Sequence, residues 1–247
     1  MCTLVVLRRP DHDWPLILGA NRDEMIDRLA LPPGRHWPDR PEIVAGQDLL
    51  GGGSWLGVND WGVAAAVLNR QGSLGPAAGR RSRGELVLEA LDHADAVDAA
   101  TALSYLDPAA YRSFNLIVAD NRDAFWLRHA DTGRVEIRPL KDGLSIIAAG
   151  EIDDLRTRRL ELARPAFRAW PAPEPDKGDW EGWQNLLGST SAPRGEPATA
   201  AMRFRTDGYG TVSSAVIALP AIPTAERRAV FRFAEWLPQE MPWREVG

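Results

Sequence analysis

Strand-like and helix-like segments arrive in blocks along this chain, and that order constrains the fold more than any single motif. Short stretches rich in β-branched and apolar residues come first, at 3–8, 15–20, 42–45, 54–58 and 62–68, with a proline-rich loop over 31–41. The last two are joined by Asn59-Asp60-Trp61 and read as a hairpin. Ser82-Arg83-Gly84-Glu85 then has capping-box spacing, and Leu86, Val87, Ala90 and Leu91 follow at helical intervals, so a helix is expected to about His93 and a second over 96–106. Four strands at 114–118, 124–128, 134–139 and 144–148 precede a helix over 155–167 and a short one carrying Trp180, Trp183 and Leu187. A strand over 212–219 and a helix over 225–237 close the chain. Grouped strands point to an α+β fold of mainly antiparallel sheets, not to a doubly wound parallel sheet.

Several function classes fall away on composition. A chain of 247 residues with 45% hydrophobic content can bury a full core, and one domain over 1–247 is expected. The net charge of −5 gives no global attraction to phosphate backbones, so nucleic acid is not an expected partner. No apolar run reaches the roughly 18–20 residues of a membrane span. The N-terminal apolar run is too short for a signal peptide, and a cytosolic location is the expectation.

The single cysteine stands at position 2, which excludes an intramolecular disulfide and any Cys-cluster zinc site. Removal of Met1 would leave an α-amine and a thiol on one residue, with ordinary pKa values of about 7.7–8.0 and about 8.5. Base and nucleophile would then be matched near neutral pH, which is how N-terminal nucleophiles are activated. Asn21-Arg22-Asp23-Glu24 ends a strand expected to pair with the N-terminal one, with Asn21 and Asp23 on one face and Arg22 and Glu24 on the other. Asp23 beside that amine would orient it. A small residue at position 2 and an Asx-stabilised turn are the bland alternatives.

Asn59 and Asn69 bracket the second hairpin strand, and either amide can stabilise a developing oxyanion. Gly51-Gly52-Gly53 lacks the Lys-Ser/Thr that a phosphate loop needs. Arg80, Arg81 and Arg83 precede a helix start, where a ligand's phosphate or carboxylate can bind or the arginines can simply be solvated. His12, His36, His93 and His129 show no metal-ligand spacing, although one histidine or methionine can still ligate a haem iron. Ten tryptophans suit core packing or an aromatic-lined pocket.

Taken together, Met1-Cys2-Thr3, Asn21-Arg22-Asp23-Glu24, the run from Gly52 to Asn59, Val67-Leu68-Asn69-Arg70, the Ser82 to Leu86 segment and Tyr209-Gly210-Thr211 resemble the NRDE family, whose eukaryotic members are called transport and Golgi organisation proteins. The resemblance implies an N-terminal-nucleophile hydrolase fold, a four-layer αββα sandwich of two antiparallel sheets. The first 70 residues are also similar in pattern to choloylglycine hydrolases and penicillin acylases. That pattern makes Cys2 the nucleophile, Asp23 the residue holding its amine and Asn69 an oxyanion-hole side chain. It departs at Ala20, where an arginine is expected and Arg22 is the substitute, at Ala148–Gly150, which lacks a second oxyanion asparagine, and at Val212, where an arginine is common.

Two readings follow. One is an amidohydrolase or acyltransferase acting on a linear C–N amide, using Cys2, Asp23, Arg22, Asn59 and Asn69 and needing no cofactor. The other, implied by the family's links to haem trafficking and acyl-coenzyme A or lipid metabolism, is a non-catalytic carrier of haem or an acyl-coenzyme A. Asn21, Glu24, Trp55, Arg83, His36 and Trp37 are the expected ligand contacts.

Overall fold

The structure is a computed structural model that describes residues 2–225 and 227–247. Met1, whose removal the nucleophile reading requires, and Glu226, inside the expected last helix, lie outside the described residues. Among the described residues, thirteen strands form two antiparallel sheets. The first sheet contains β1 (Thr3–Arg8), β2 (Leu16–Met25), β10 (Gly143–Ile147), β11 (Tyr209–Leu219), β12 (Val230–Glu235) and β13 (Met241–Glu245), in the order β10-β1-β2-β11-β12-β13. The second runs in chain order through β3 (Ala30–Gly34), β4 (Ile43–Asp48), β5 (Leu56–Asn59), β6 (Ala64–Asn69), β7 (Phe114–Ala119), β8 (Ala124–His129) and β9 (Val135–Pro139).

Three apolar layers hold these sheets between helices. Leu4, Val6, Leu16 and Leu18 from the first sheet meet Leu56, Val58, Ala66 and Leu68 from the second. On the far side of the second sheet, Ile43, Ala65 and Leu116 pack against α1 (Gly84–Leu91) and α2 (Ala96–Ser104). On the far side of the first, Val5, Ile17 and Val216 pack against α3 (Arg158–Ala169) and α4 (Glu181–Gly188). The strands therefore bury both faces, and the fold is the expected α+β sandwich with four layers. Gly19 lets α4 come close to the first sheet, because a Cβ there would stand 3.0 Å from the Trp183 ring.

Three local expectations need correction. The segment 225–237 is not a helix: Val230–Glu235 is a strand, with Phe231 and Phe233 turned into the inter-sheet core, so a period of two outweighed the helix formers around it. The proline-rich loop contains β3, whose Pro32 and Pro33 are tolerated because it is an edge strand. Ser82 is not the N-cap of α1. Arg83 holds that position without a side-chain cap, and the Ser82 hydroxyl instead accepts from the Gly84 N–H at 3.2 Å.

The glycine run has a packing reason. A Cβ on Gly53 would lie 2.3 Å from the Gly84 carbonyl carbon, and the neighbouring Ser54 N–H donates to Gly84 O at 3.0 Å. The turn before β5 is thereby fastened to the start of α1 by backbone alone. Gly53→Ala should cost about 1–3 kcal/mol of overpacking, read as a lower urea midpoint at unchanged slope. An unchanged midpoint would show that this backbone contact does not hold the turn.

Candidate active site around Cys2

Strand alternation divides the candidate residues between two environments. Thr3 pairs with Asn21 across β1 and β2, and Cys2 follows the inward-facing Leu4 and Val6. Leu16, Leu18 and Ala20 face the inter-sheet core in the same way, so Arg22 and Glu24 share the inner face with Cys2. Asn21 and Asp23 point the other way, toward α3 and α4. The Asp23 carboxylate therefore lies on the face of β2 opposite the cavity that the Cys2 thiol lines.

Asp23 is buried and firmly held. Arg159 Nη1 donates to its Oδ2 at 2.6 Å, and the Thr211 hydroxyl donates to Oδ1 at 2.8 Å. Arg159 Nη1 also donates to the Thr3 hydroxyl at 3.3 Å. The Asp23 main-chain carbonyl oxygen accepts from the Tyr209 hydroxyl at 3.3 Å and from the Cys2 thiol at 3.6 Å. A β-bulge in β11 between Thr211 and Ser213 leaves Val212 unpaired opposite this point, and such bulges re-aim side chains beside functional sites. Arg22 lies on the same inner face as Ala20 and Cys2, not beside the Asp23 carboxylate. The guanidinium beside Asp23 comes from α3, more than 130 residues along the chain.

Cys2 lines a cavity of about 600 Å³ with Arg22, Glu24, Trp55, Asn69 and Arg83. Burial, then the negative Asp23, pushes its thiol up, and Arg22 pulls the other way. The Arg22 guanidinium lies over the Trp55 ring at 4.2 Å. Trp55 is admitted by Gly46, where a Cβ would lie 2.3 Å from the ring. Asn69 ends β6 two residues after Val67, and both line the cavity.

Other expected site residues are elsewhere. Asn59 is at the opposite end of the hairpin, donating to Leu91 O at 2.8 Å and His93 O at 2.7 Å and accepting from the N–H groups of Trp61 and Val63. Its whole hydrogen-bonding capacity fastens α1 to the turn, which leaves no donor for an oxyanion. Asn21 donates to Leu187 O and Met202 O and accepts from the Ser214 hydroxyl, tying the α4 layer to β2. Trp37 is buried in the core under α1 and donates to Gly52 O at 3.2 Å. His36 Nε2 lies 2.8 Å from Pro32 O, in the edge of the second sheet and away from the cavity wall.

Comparisons with known proteins agree with this fold. The sequence model of the Transport and Golgi organisation 2 family matches residues 1–221. Transport and Golgi organization protein 2 homologs from Bos taurus and Homo sapiens are 38% identical over 117 residues and 40% identical over 116. Each match takes in 43% of this chain and 39% of the relative's length, so the matched segment is well under half of those proteins. Among solved structures, an N-acylethanolamine-hydrolyzing acid amidase ortholog from Caenorhabditis elegans is 14% identical with a TM-score of 0.59, over 91% of this chain and 95% of that one. Penicillin V acylase from Agrobacterium tumefaciens is 16% identical with a TM-score of 0.59, over 100% and 86%. At these identities the likeness is one of fold, and the fold is that of N-terminal-nucleophile hydrolases.

Two measurements check the site. Arg159→Met strips a buried carboxylate of its guanidinium and should cost about 3–5 kcal/mol, whereas the double variant Asp23→Leu/Arg159→Met should recover much of that loss. Equal losses in the single and double variants would contradict the pairing. Iodoacetamide alkylation of the sole cysteine should rise with pH around a midpoint above that of a free thiol, because burial disfavours the thiolate. Arg22→Gln should move the midpoint further up and Asp23→Asn down; shifts of the opposite sign would overturn the electrostatic account.

Proposed function

The chain belongs to the Transport and Golgi organisation 2 family, and on that premise we propose that it is a cysteine amidohydrolase or acyltransferase acting on a linear C–N amide. The observation that carries this reading is the division across β2. The Cys2 thiol opens into a cavity, while on the opposite face of β2 the Asp23 carboxylate is anchored by Arg159 and Thr211.

The chemistry proceeds from that arrangement once Met1 has been removed. The α-amine of Cys2 takes the thiol proton as the sulfur attacks the amide carbonyl, and Asp23 orients the amine. A thiol pushed up by burial is neutral at pH 7, so an internal base suits it better than pre-ionisation does. Asn69, with a backbone N–H, supports the oxyanion. The amine returns the proton to the departing nitrogen, and water or a second nucleophile then releases the acyl group from sulfur. Two structural neighbours carry the names N-acylethanolamine-hydrolyzing acid amidase and penicillin V acylase, which supports an acyl-amide reaction class for the shared fold.

Intact-mass spectrometry of the purified protein should find a chain beginning at Cys2, and Cys2→Ala should abolish release of amine from an N-acyl amide while the fold survives. Retained Met1 in turning-over protein, or undiminished turnover in Cys2→Ala, would defeat the proposal. Asn69→Ala should lower kcat by about 10²–10³-fold with KM little changed.

A further inference from the structure

The cavity beside Cys2 has an electrostatic character that the amide chemistry does not use. Its wall carries six arginines, Arg22, Arg28, Arg80, Arg81, Arg83 and Arg112, against the three carboxylates of Glu24, Asp48 and Glu85. Two of the six are neutralised directly: Arg28 holds Asp48 at 2.6 Å and Arg81 holds Glu85 at 2.6 Å. Arg80 and Arg112 are spent on backbone carbonyls of the surrounding loops, at Ala109 and Tyr111 and at Gly72, Leu74 and Gly75. Arg22 and Arg83 remain.

These two are held in place with donors to spare. Arg22 is nine-tenths buried and packed on Trp55, and its nearest carboxylate oxygen, on Glu24, is 3.9 Å away, beyond hydrogen-bonding distance. Arg83 commits Nη1 to Ser73 O, the Ser73 hydroxyl and Ser113 O at 2.8–3.0 Å, and among the described residues no carboxylate lies within ion-pair distance of it. Burial, with Arg112 nearby, lowers its pKa to about 10, so it stays charged at neutral pH. Holding a guanidinium rigidly in a part-buried wall without an acidic partner is costly unless an anion completes it. Glu24 opposes an anion on one side, but it already accepts from the Met25 N–H at 2.9 Å and lies 3.8 Å from Arg28.

We infer that the cavity takes a substrate or ligand bearing a compact oxyanion, a carboxylate or a phosphate, clamped between Arg22 and Arg83 beside the Cys2 sulfur. The planar fork of each arginine matches such a group in a bidentate way. The inference rests on the same cavity as the proposed amidase reading but concerns binding, so it stands or falls without turnover.

The test uses full-length Cys2→Ala protein and isothermal titration with three probes: N-decanoylglycine, N-decanoylethanolamine phosphate and neutral N-decanoylethanolamine. One or both anionic probes should bind at least tenfold more tightly than the neutral one, and the better anion identifies the headgroup. Arg83→Gln and Arg22→Gln should each erase most of that preference while leaving the affinity for the neutral probe within about twofold. Should Arg83→Gln fail to fold, Arg83→Lys keeps the charge without the fork and should lose part of the preference. Equal binding of all three probes, binding of none, or a preference that survives both glutamine variants overturns the clamp. Anion preference in Cys2→Ala together with wild-type protein that releases no amine would sink the amidase reading and leave the clamp standing.

Discussion

The ion pair between Asp23 and Arg159 is the contact on which the arrangement of the site depends. It joins the central strand of the first sheet to α3, and both side chains are excluded from solvent. A buried pair of this kind adds little net stability, but losing either member leaves an uncompensated charge in the interior. It therefore fixes geometry more than it strengthens the fold. With Asp23 turned outward, the period-two pleat leaves Cys2, Arg22 and Glu24 no choice but the inner face.

The same division separates two kinds of work. Behind the sheet, Thr3, Thr211 and Arg159 form a closed hydrogen-bonded set around one carboxylate. In front of it, the cavity is lined by long charged side chains and one tryptophan, with donors left over. A rigid rear support with an open front suits a site that must keep one reacting group still while a ligand enters. Among the described residues no helix is long and apolar enough to cross a membrane.

How much of this the sequence disclosed differs from residue to residue. Cys2 and Asp23 were legible because one stands at an improbable position and the other ends a strand whose pairing follows from a short turn. Asn59 looked equivalent to Asn69, since each ends a strand. Only the path of α1 reveals that Asn59 is consumed by the carbonyls of Leu91 and His93. Arg159 carried no local signal at all: it sits among arginines at the start of a helix, and its partner is 136 residues away. Phe231 and Phe233 held the sign of a strand in their alternation, masked by flanking residues that favour helix.

What the sequence determined alone was the alternation of apolar residues, and with it most of the strands and the face each strand residue presents, because those follow from a short-range period. The tertiary structure decided which charged groups meet. Pairing between distant segments depends on how separate layers dock, and a guanidinium reads the same in the chain whether it ends against Asp23, over Trp55 or in an open cavity wall. Their burial and partners, and thus their chemistry, exist only once the two sheets and the helices behind them have closed.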